Sequence, residues 1–237
     1  MARLILDRIM QLNLEPGHSV GTEAELLERY GVSRPTLRES LRILEWQGVL
    51  KTRPGPGGGT IVTKPSIELL AHNLSVYLMM NHVPFGEILR ARMAIEPTLV
   101  ASAALYGTEE QFAAMDATID RLEAAGDDGS IVYRENREFH NILARAAGNP
   151  VLEIFWSTIR ALASGEGAGL KYSAKNRANI VRAHREIVDA CRRRDADSAR
   201  KLITEHLGEL DVLLRVRHKD QLKQPAGIGL KTAVADI

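Results

Sequence analysis

The chain has 237 residues and a formal net charge of +1; 45% of its residues are hydrophobic, 26% are charged and 5% are aromatic. This composition can supply a buried core, which excludes a disordered chain, and its richness in Ala, Leu, Glu and Arg favours helices over sheets. The near-neutral charge excludes a basic footprint over the whole chain. Any nucleic-acid-binding surface must therefore be local.

The cysteine content and the hydropathy of the chain indicate its cellular compartment. Cys191 is the single cysteine, so an intramolecular disulfide is excluded, which fits a reducing environment. No apolar run reaches membrane-spanning length, and the first residues lack the apolar stretch of a signal peptide. We therefore expect a cytoplasmic protein without a membrane partner.

The first 64 residues have the sequence signals of three short helices followed by a hairpin. Thr22, with Glu25 three residues later, forms a capping-box pattern, and Gly31 is a good residue to end the helix that follows it. The predicted elements are helices over 2–12 and 23–30, a helix between Ser33 and Gly48, and β-prone segments over 49–53 and 60–63.

A helix, a short turn with a glycine and a second capped helix form the layout of a helix-turn-helix. In that motif the N-terminal half of the second helix enters the major groove of DNA. Arg34 and Arg38 are four residues apart on one face, so each guanidinium could bind guanine or a phosphate. The alternative is an ordinary three-helix domain with solvated arginines. The candidate DNA-binding residues of this helix are Ser33, Arg34, Thr36, Arg38 and Arg42.

The segment between the two β-prone stretches, residues 54–59, contains only proline and glycine, which predicts the tip of a β-hairpin. Consecutive glycines let backbone N–H groups approach a phosphate or the minor groove closely. Gly57, Gly58 and Gly59 are therefore further candidate DNA contacts. The hairpin is interpreted as the wing of a winged helix-turn-helix.

After residue 64 the pattern is helical almost to the end, so the fold class is mainly α. We expect a winged helix-turn-helix over 1–64, a linker leading into the first bundle helix over 65–72, an all-α antiparallel bundle over 73–220 and a flexible tail over 221–237. The predicted helices after residue 64 cover 66–80, 85–105, 109–125, 130–147, 149–164, 174–194 and 196–219.

Three histidines of this region have the spacing of a metal site. Asn136 and His140 are four apart on one helix face. His184 and His206 each lie about 11 residues, or ~16 Å, from the turn at 195–197, so an antiparallel pair of helices would place them side by side. Three imidazoles with an amide oxygen suit a divalent transition metal such as Zn, Ni or Mn. The alternative is a set of unrelated surface histidines.

The segment GVSRPTLRESLRILEWQGVL, with the glycine-rich stretch after it, resembles the winged-helix domain of the GntR family of bacterial repressors. The resemblance implies that Arg34 and Arg38 contact operator DNA and that the wing glycines lie in the minor groove. Many members of that family carry an additional DNA-contacting arginine in the preceding helix. Ala24 stands at the matching position here, so one contact is lost or moved.

The helical region resembles the FCD domain, the effector domain of the FadR subfamily of GntR regulators, in its six- or seven-helix form. The resemblance implies a divalent metal held by the residues matching Asn136, His140, His184 and His206, with a small carboxylate effector bound to it. Asn136 replaces the usual aspartate, which makes a neutral and weaker ligand. The family's Arg-x-x-x-Glu element matches Arg92 and Glu96, and Arg92 is a candidate partner for the effector carboxylate.

These observations together predict a ligand-responsive transcriptional regulator, most simply a repressor, that binds palindromic operator DNA as a homodimer. One alternative is a constitutive DNA-binding protein whose helical domain only dimerises. A second is a metalloenzyme that uses the three histidines, although no HExxH-type motif is present. We expect no enzymatic activity.

Overall fold

A computed structural model of the chain describes residues 1–53, 55, 58–163, 173–217 and 219–226. The chain divides into two units, residues 1–70 and 71–237. The division falls inside the stretch 65–72 that the sequence assigns to the linker and the start of the first bundle helix. The two units are described separately below.

The N-terminal unit is built from short helices and a three-stranded antiparallel sheet of order β1-β3-β2. Leu50 of one outer strand pairs with Val62 of the central strand. The elements in chain order are α1 (Ala2–Gln11), β1 (Ser19–Gly21), α2 (Glu23–Tyr30), α3 (Arg34–Trp46), β2 (Leu50–Arg53) and β3 (Gly59–Val62). The helices, β2 and β3 agree with the sequence-based expectations, whereas the three-residue strand β1 was not predicted because it is too short to show alternation.

Local hydrogen bonds explain where α2 and α3 begin. Thr22 and Glu25 form the predicted capping box: the Glu25 N–H donates to the Thr22 hydroxyl, and the Thr22 N–H donates to the Glu25 carboxylate at 2.8 Å. Gly31 follows α2 with φ of 62°, the left-handed conformation that glycine adopts without strain. Ser33 then caps α3 by accepting from the Thr36 N–H. The turn between the two helices is therefore fixed by residues within it.

One apolar core holds this unit together. α3 contributes Leu37, Leu41 and Leu44, which are all buried on a side of the helix about 90° round from its arginines. Each such side chain stabilises the fold by roughly 1.5–3 kcal/mol relative to exposure. The remaining buried members of the core are Ile5, Ile9, Val20, Leu26, Leu50 and Val62.

The described residues of the second unit form helices joined by short turns, and α4 begins in the last residues of the first unit. The seven helices predicted after residue 64 are all found, with ends that agree to within two residues, and a short eighth helix, α11, follows them. In chain order they are α4 (Ile67–Met80), α5 (Phe85–Tyr106), α6 (Glu109–Ala124), α7 (Gly129–Ala146), α8 (Pro150–Ala163), α9 (Ala174–Arg192), α10 (Ala196–Arg217) and α11 (Lys219–Leu222). The fold class, mainly α with a small winged region, is confirmed.

α5 is the central helix of the bundle and packs against α7, α8, α9 and α10. Its buried apolar residues belong to the main core of the bundle, to which α6, α7, α8, α9 and α10 also contribute, and Phe85, Ile88 and Leu89 at its start form a smaller second cluster. Within the described part of the chain, no helix combines the length and apolar character that crossing a membrane requires. The largest buried side chains of the core are Leu99, Phe112, Met115, Ile119, Leu122, Phe139, Leu143 and Trp156.

Residues 219–226 differ from the sequence-based expectation of a flexible tail from residue 221 onward. The Phe85 N–H donates to the Gln224 carbonyl at 2.8 Å, and the Ala226 N–H donates to the Val83 carbonyl at 2.8 Å. Ala226 is fully buried beside Phe85 and Ile88. The segment is therefore part of the bundle, held by contacts with the start of α5. Residues 227–237 lie outside the described residues.

The turn between α9 and α10 is fixed by Arg194. Its φ of 61° is left-handed, which is unusual for a residue with a side chain. From this turn its Nη1 donates to the carbonyl oxygens of Ala104 at 3.0 Å and Gly107 at 2.8 Å, at the end of α5. These carbonyls have no partner within their own helix, so Arg194 caps α5 across the bundle.

Candidate nucleic-acid interface and metal centre

The N-terminal half of α3 presents a row of exposed cations. The side chains of Arg34, Arg38 and Arg42 are 73%, 60% and 75% exposed. The adjoining side of the helix, with Leu37, Leu41 and Leu44, is buried in the core, so the helix cannot turn the arginines inward. The predicted cluster is therefore solvent-accessible on one surface of the N-terminal unit.

Glu23, which the sequence analysis did not select, lies against this cluster. The Arg38 Nε and Nη2 donate to its two carboxylate oxygens at 3.1 and 3.3 Å, and the Arg34 Nη1 is 3.9 Å from it. Glu23 is the first residue of α2, and the turn after α2 brings that end of the helix to α3. Ala24 beside it is exposed. The sequence feature that could have identified Glu23 is an acidic residue in the first turn of the helix that precedes the arginines.

Ser33 and Thr36 already have partners in the protein. Their hydroxyl groups are 2.8 Å apart and hydrogen-bonded, and Ser33 caps the helix. Either hydroxyl has remaining capacity for a phosphate oxygen, since a hydroxyl can both donate and accept. Their position at the helix N-terminus also favours a negatively charged group.

The structure gives a second reason for a glycine at position 58, in addition to the candidate DNA contact. A Cβ at this position would collide with the carbonyl oxygen of Arg53, so the hairpin itself requires glycine. Gly59 begins β3 and pairs with Arg53 in the ladder. Gly57 lies outside the described residues. Lys51 and Arg53 of β2 are both exposed and add positive charge to the hairpin.

In the second unit, three histidines from three helices meet. His140 (α7), His184 (α9) and His206 (α10) each offer a ring nitrogen within 4.8 Å of the others. The ring centroids of His184 and His206 are 5.0 Å apart, as the equal spacing from the turn predicted. Phe139 stacks on His184 at 3.7 Å between centroids and fixes the plane of that ring.

The surroundings keep these imidazoles neutral. Burial lowers the pKa of His140 and outweighs the opposite effect of Glu96. Burial and the neighbouring His206 and His140 hold the pKa of His184 well below its usual value. Burial lowers the pKa of His206 to about 3. Neutral imidazole is the form that binds a metal ion, so the cluster is in its ligating state near pH 7.

Glu96 of α5 connects the histidines to a cation. It is fully buried; its Oε2 accepts from the Arg92 Nε at 3.0 Å, and its Oε1 lies against the Nδ1 of His140. Burial alone would raise the pKa of Glu96, but Arg92 and His140 outweigh it and hold the pKa at about 2. The carboxylate accepts the Nδ1–H of His140, which would leave Nε2 available to a metal ion.

Asn136 supplies a fourth candidate ligand. It lies one turn before His140 on α7, and its buried Oδ1 has no hydrogen-bond partner in the described structure. A buried acceptor without a partner is costly, so this oxygen needs a cation or a donor. The nitrogens of His184 are likewise buried without partners. These four side chains fit a divalent transition metal.

Arg92 lies between this cluster and α8. Its side chain is only 14% exposed, and its Cζ is 5.4 Å from the centre of the Trp156 ring. Arg92 is ion-paired to Glu96, and its positive charge acts on His140, His184 and His206, so a structural role and a role in binding an effector carboxylate both have a basis in the structure. Trp156 and Arg160 of α8, discussed below, were not selected from the sequence because single Trp and Arg residues carry no spacing signal.

Comparison with protein families and with known relatives gives a consistent result. The model of the "Bacterial regulatory proteins, gntR family" matches residues 1–62, and the model of the FCD domain matches residues 87–209. The Bacillus subtilis protein YcbG, an "uncharacterized HTH-type transcriptional regulator", is 34% identical over 212 residues, which is 87% of each chain. The Salmonella typhimurium repressor NanR is 28% identical over 200 residues, 82% of this chain and 75% of NanR.

Solved structures show the same fold. The structure titled "Streptococcus agalactiae GntR" superposes with a TM-score of 0.66 at 23% identity, covering 89% of this chain and 97% of that one. The matched families and relatives are transcriptional regulators and not enzymes, which removes the metalloenzyme alternative.

Proposed function

Since the chain belongs to the GntR family of bacterial transcriptional regulators and carries an FCD domain, we propose that it is a ligand-responsive repressor of the FadR subfamily. It binds palindromic operator DNA as a homodimer in the cytoplasm, and a small carboxylate effector bound at a divalent metal controls that binding. The observation that carries the DNA assignment is the exposed arginine pair on the N-terminal half of α3.

The arginines supply both affinity and base recognition. A guanidinium that faces a guanine donates two hydrogen bonds to it, which contributes about 1–3 kcal/mol of discrimination per base pair. Arg34 and Arg38 are the candidates for this contact, and Arg42, one turn further, is placed for the phosphate backbone. Gly58 and Gly59 bring the hairpin backbone to the adjacent groove. One helix covers only a few base pairs, so a specific site requires two copies of the chain.

The apolar surface of α8 supports the homodimer. Val151, Ile154 and Phe155 are 61%, 46% and 58% exposed and lie on one side of that helix. An exposed apolar face of this kind favours association with another protein surface. Light scattering should give a solution mass of two chains.

The metal centre supports the effector assignment. Asn136, His140, His184 and His206 would hold the ion, and Glu96 would orient His140. A divalent ion bound there supplies a positive charge at which an effector carboxylate can bind. Arg92, 14% exposed and close to the histidines, is placed for a second oxygen of that carboxylate. Effector binding that favours one arrangement of the DNA-binding units would change operator affinity, by a coupling of about 1–3 kcal/mol.

Substitution of Arg34 and Arg38 by alanine tests the DNA assignment. The operator is first obtained by selecting bound fragments from random DNA with the full-length protein. The double variant should lose about 100-fold or more in affinity for this DNA, because two base contacts are removed. Arg3→Ala is a matched control, since Arg3 is an exposed arginine of the same unit that pairs with Asp7. Retention of sequence-specific gel shifts by the double variant, with circular dichroism unchanged, would contradict the assignment.

Elemental analysis of the purified protein tests the metal centre. We expect about one divalent ion per chain, from three imidazoles and one oxygen, and its loss in His184→Ala and His206→Ala. His72→Ala removes an exposed histidine outside the cluster and should change nothing. Asn136→Asp should tighten metal binding by about 10-fold, because it adds a charged oxygen ligand. An unchanged metal content in both histidine variants would contradict this site, and absence of any metal from the wild type would favour the alternative of a helical domain that only dimerises.

A further inference from the structure

Two buried donors next to the metal centre have no partner. Among the described residues, Trp156 Nε1 and Arg160 Nε are buried nitrogens without a hydrogen bond. Trp156 is 0% exposed. Both residues belong to α8 and are four apart, so they lie on the same face of that helix. A buried donor without an acceptor costs free energy. A bound group that supplies hydrogen-bond acceptors would therefore be stabilised at this face.

This face is directed to the candidate metal centre. The Trp156 ring centroid is 6.4 Å from that of His140, and the Arg92 guanidinium lies over the same indole. Arg160 lies one turn after Trp156 on the same face of α8; it acts electrostatically on His140, and Arg92 acts on it. A ligand that extends from the histidines toward this face of α8 would approach the Trp156 N–H and the Arg160 guanidinium.

The local charge around Arg160 favours an anion. Burial, and then Arg137 and Arg92, lower the pKa of Arg160, and these effects outweigh the opposite influence of Tyr133 and Glu138. The guanidinium therefore lies in surroundings that disfavour its positive charge, and a bound anion would compensate that charge.

We propose that the Trp156/Arg160 face binds a second anionic group of the effector, so that the effector is a short dicarboxylate and not a monocarboxylate. This inference rests on the proposed function, in which the first carboxylate binds at the metal and Arg92. The Arg160 guanidinium pairs with the second carboxylate, and the Trp156 N–H donates to one of its oxygens. Trp156 and Arg160 are then the residues that determine effector specificity.

Calorimetry with two matched acids tests this assignment. The full-length protein loaded with Zn²⁺ is titrated with malate and with 2-hydroxybutyrate, which share four carbons and a 2-hydroxy acid group and differ in the second carboxylate. Malate should bind at least about 10-fold more tightly, since a charged hydrogen bond to the second carboxylate is added. Arg160→Gln should remove that difference and leave the affinity for 2-hydroxybutyrate unchanged.

Two further variants make the test specific. Trp156→Phe keeps the ring and removes only the N–H, so it should weaken malate binding several-fold even if Arg160→Gln fails to fold. Arg185→Gln, in which an exposed arginine paired with Asp120 and Glu123 is removed, is the control and should bind both acids as the wild type does.

The outcomes separate this inference from the function on which it rests. Equal affinity of the wild type for the two acids, or an unchanged preference for malate in both α8 variants, would overturn the second anionic subsite and leave a monocarboxylate effector standing. Binding of neither acid by the Zn²⁺-loaded protein would overturn the subsite together with the carboxylate effector. DNA binding by Arg34 and Arg38 is judged by its own experiment in either case.

Discussion

The candidate sites of the two units are built in opposite ways. In the N-terminal unit the candidate DNA-binding arginines lie within one helix and are exposed, and Arg34 and Arg38 pair with Glu23. In the helical unit the candidate ligands come from three helices, are mostly buried, and depend on Glu96 of a fourth. We expect that an exposed charged residue of the candidate DNA site can be removed without unfolding the first unit. Removal of a buried charged residue beside the histidine cluster should instead destabilise the second unit.

The largest expected effect tests this difference directly. Glu96→Gln should lower the free energy of unfolding by about 3 kcal/mol or more, because Arg92 is left as a buried cation without its counter-charge. Urea unfolding of the metal-free protein, followed by fluorescence, measures this effect. In a Trp46→Phe background Trp156 is the remaining tryptophan, so the signal reports the helical unit alone.

Glu87→Gln is the matched control for Glu96→Gln. Glu87 lies on the same helix and pairs with Arg90, but both side chains are well exposed, at 49% and 67%. Its removal should cost about 0–1 kcal/mol. If the two glutamates gave equal changes, burial would not be the property that separates the two units.

A smaller loss of stability is expected at the α9–α10 turn. Arg194→Ala removes two hydrogen bonds to the end of α5 and should cost about 2 kcal/mol. Arg194→Gly should cost about 1 kcal/mol less, because glycine adopts the left-handed φ of this position without strain. Arg193→Ala, an exposed neighbour, should stay within about 0.5 kcal/mol of the wild type. Equal stability of the alanine and glycine variants would refute the contribution of backbone strain.

The smallest effect on stability is expected for Glu23→Gln. The loss should be below about 1 kcal/mol, the size of a favourable charge at a helix N-terminus. The change should instead appear in DNA binding: non-specific affinity rises several-fold because a carboxylate near the phosphates is removed, and preference for the operator falls because Arg38 loses its fixed orientation. Fluorescence anisotropy with operator DNA and with scrambled DNA measures the ratio of the two affinities. The control is Glu28→Gln, which removes an exposed glutamate. Strong destabilisation by Glu23→Gln would break the contrast between the two units.

Much of the architecture was predictable because it rests on short-range interactions. The capping box of Thr22 and Glu25, the left-handed Gly31 and the Ser33 cap act within about four residues, and their pattern predicts α2 and α3 with correct limits. The proximity of His184 and His206 was also predictable, since two antiparallel helices joined by a short turn bring equally spaced residues together.

Other features have no short-range signal. The strand β1 forms only because β3 pairs with it, and residues 219–226 are ordered by hydrogen bonds to the start of α5. Glu23 contacts Arg38 across 15 positions of the sequence. Trp156 and Arg160 become candidates only when the packing of α8 leaves their nitrogens buried without partners.

Caps, apolar periodicity and residue spacing act along the chain, so they were sufficient to predict the helices, the helix-turn-helix and the candidate residues for DNA and metal binding. The position of Glu96 between Arg92 and His140, the capping of α5 by Arg194 and the two donors of α8 without acceptors became visible only in the folded protein. Burial and long-range contacts set the energy of a charged or polar group, and both arise only when the helices pack.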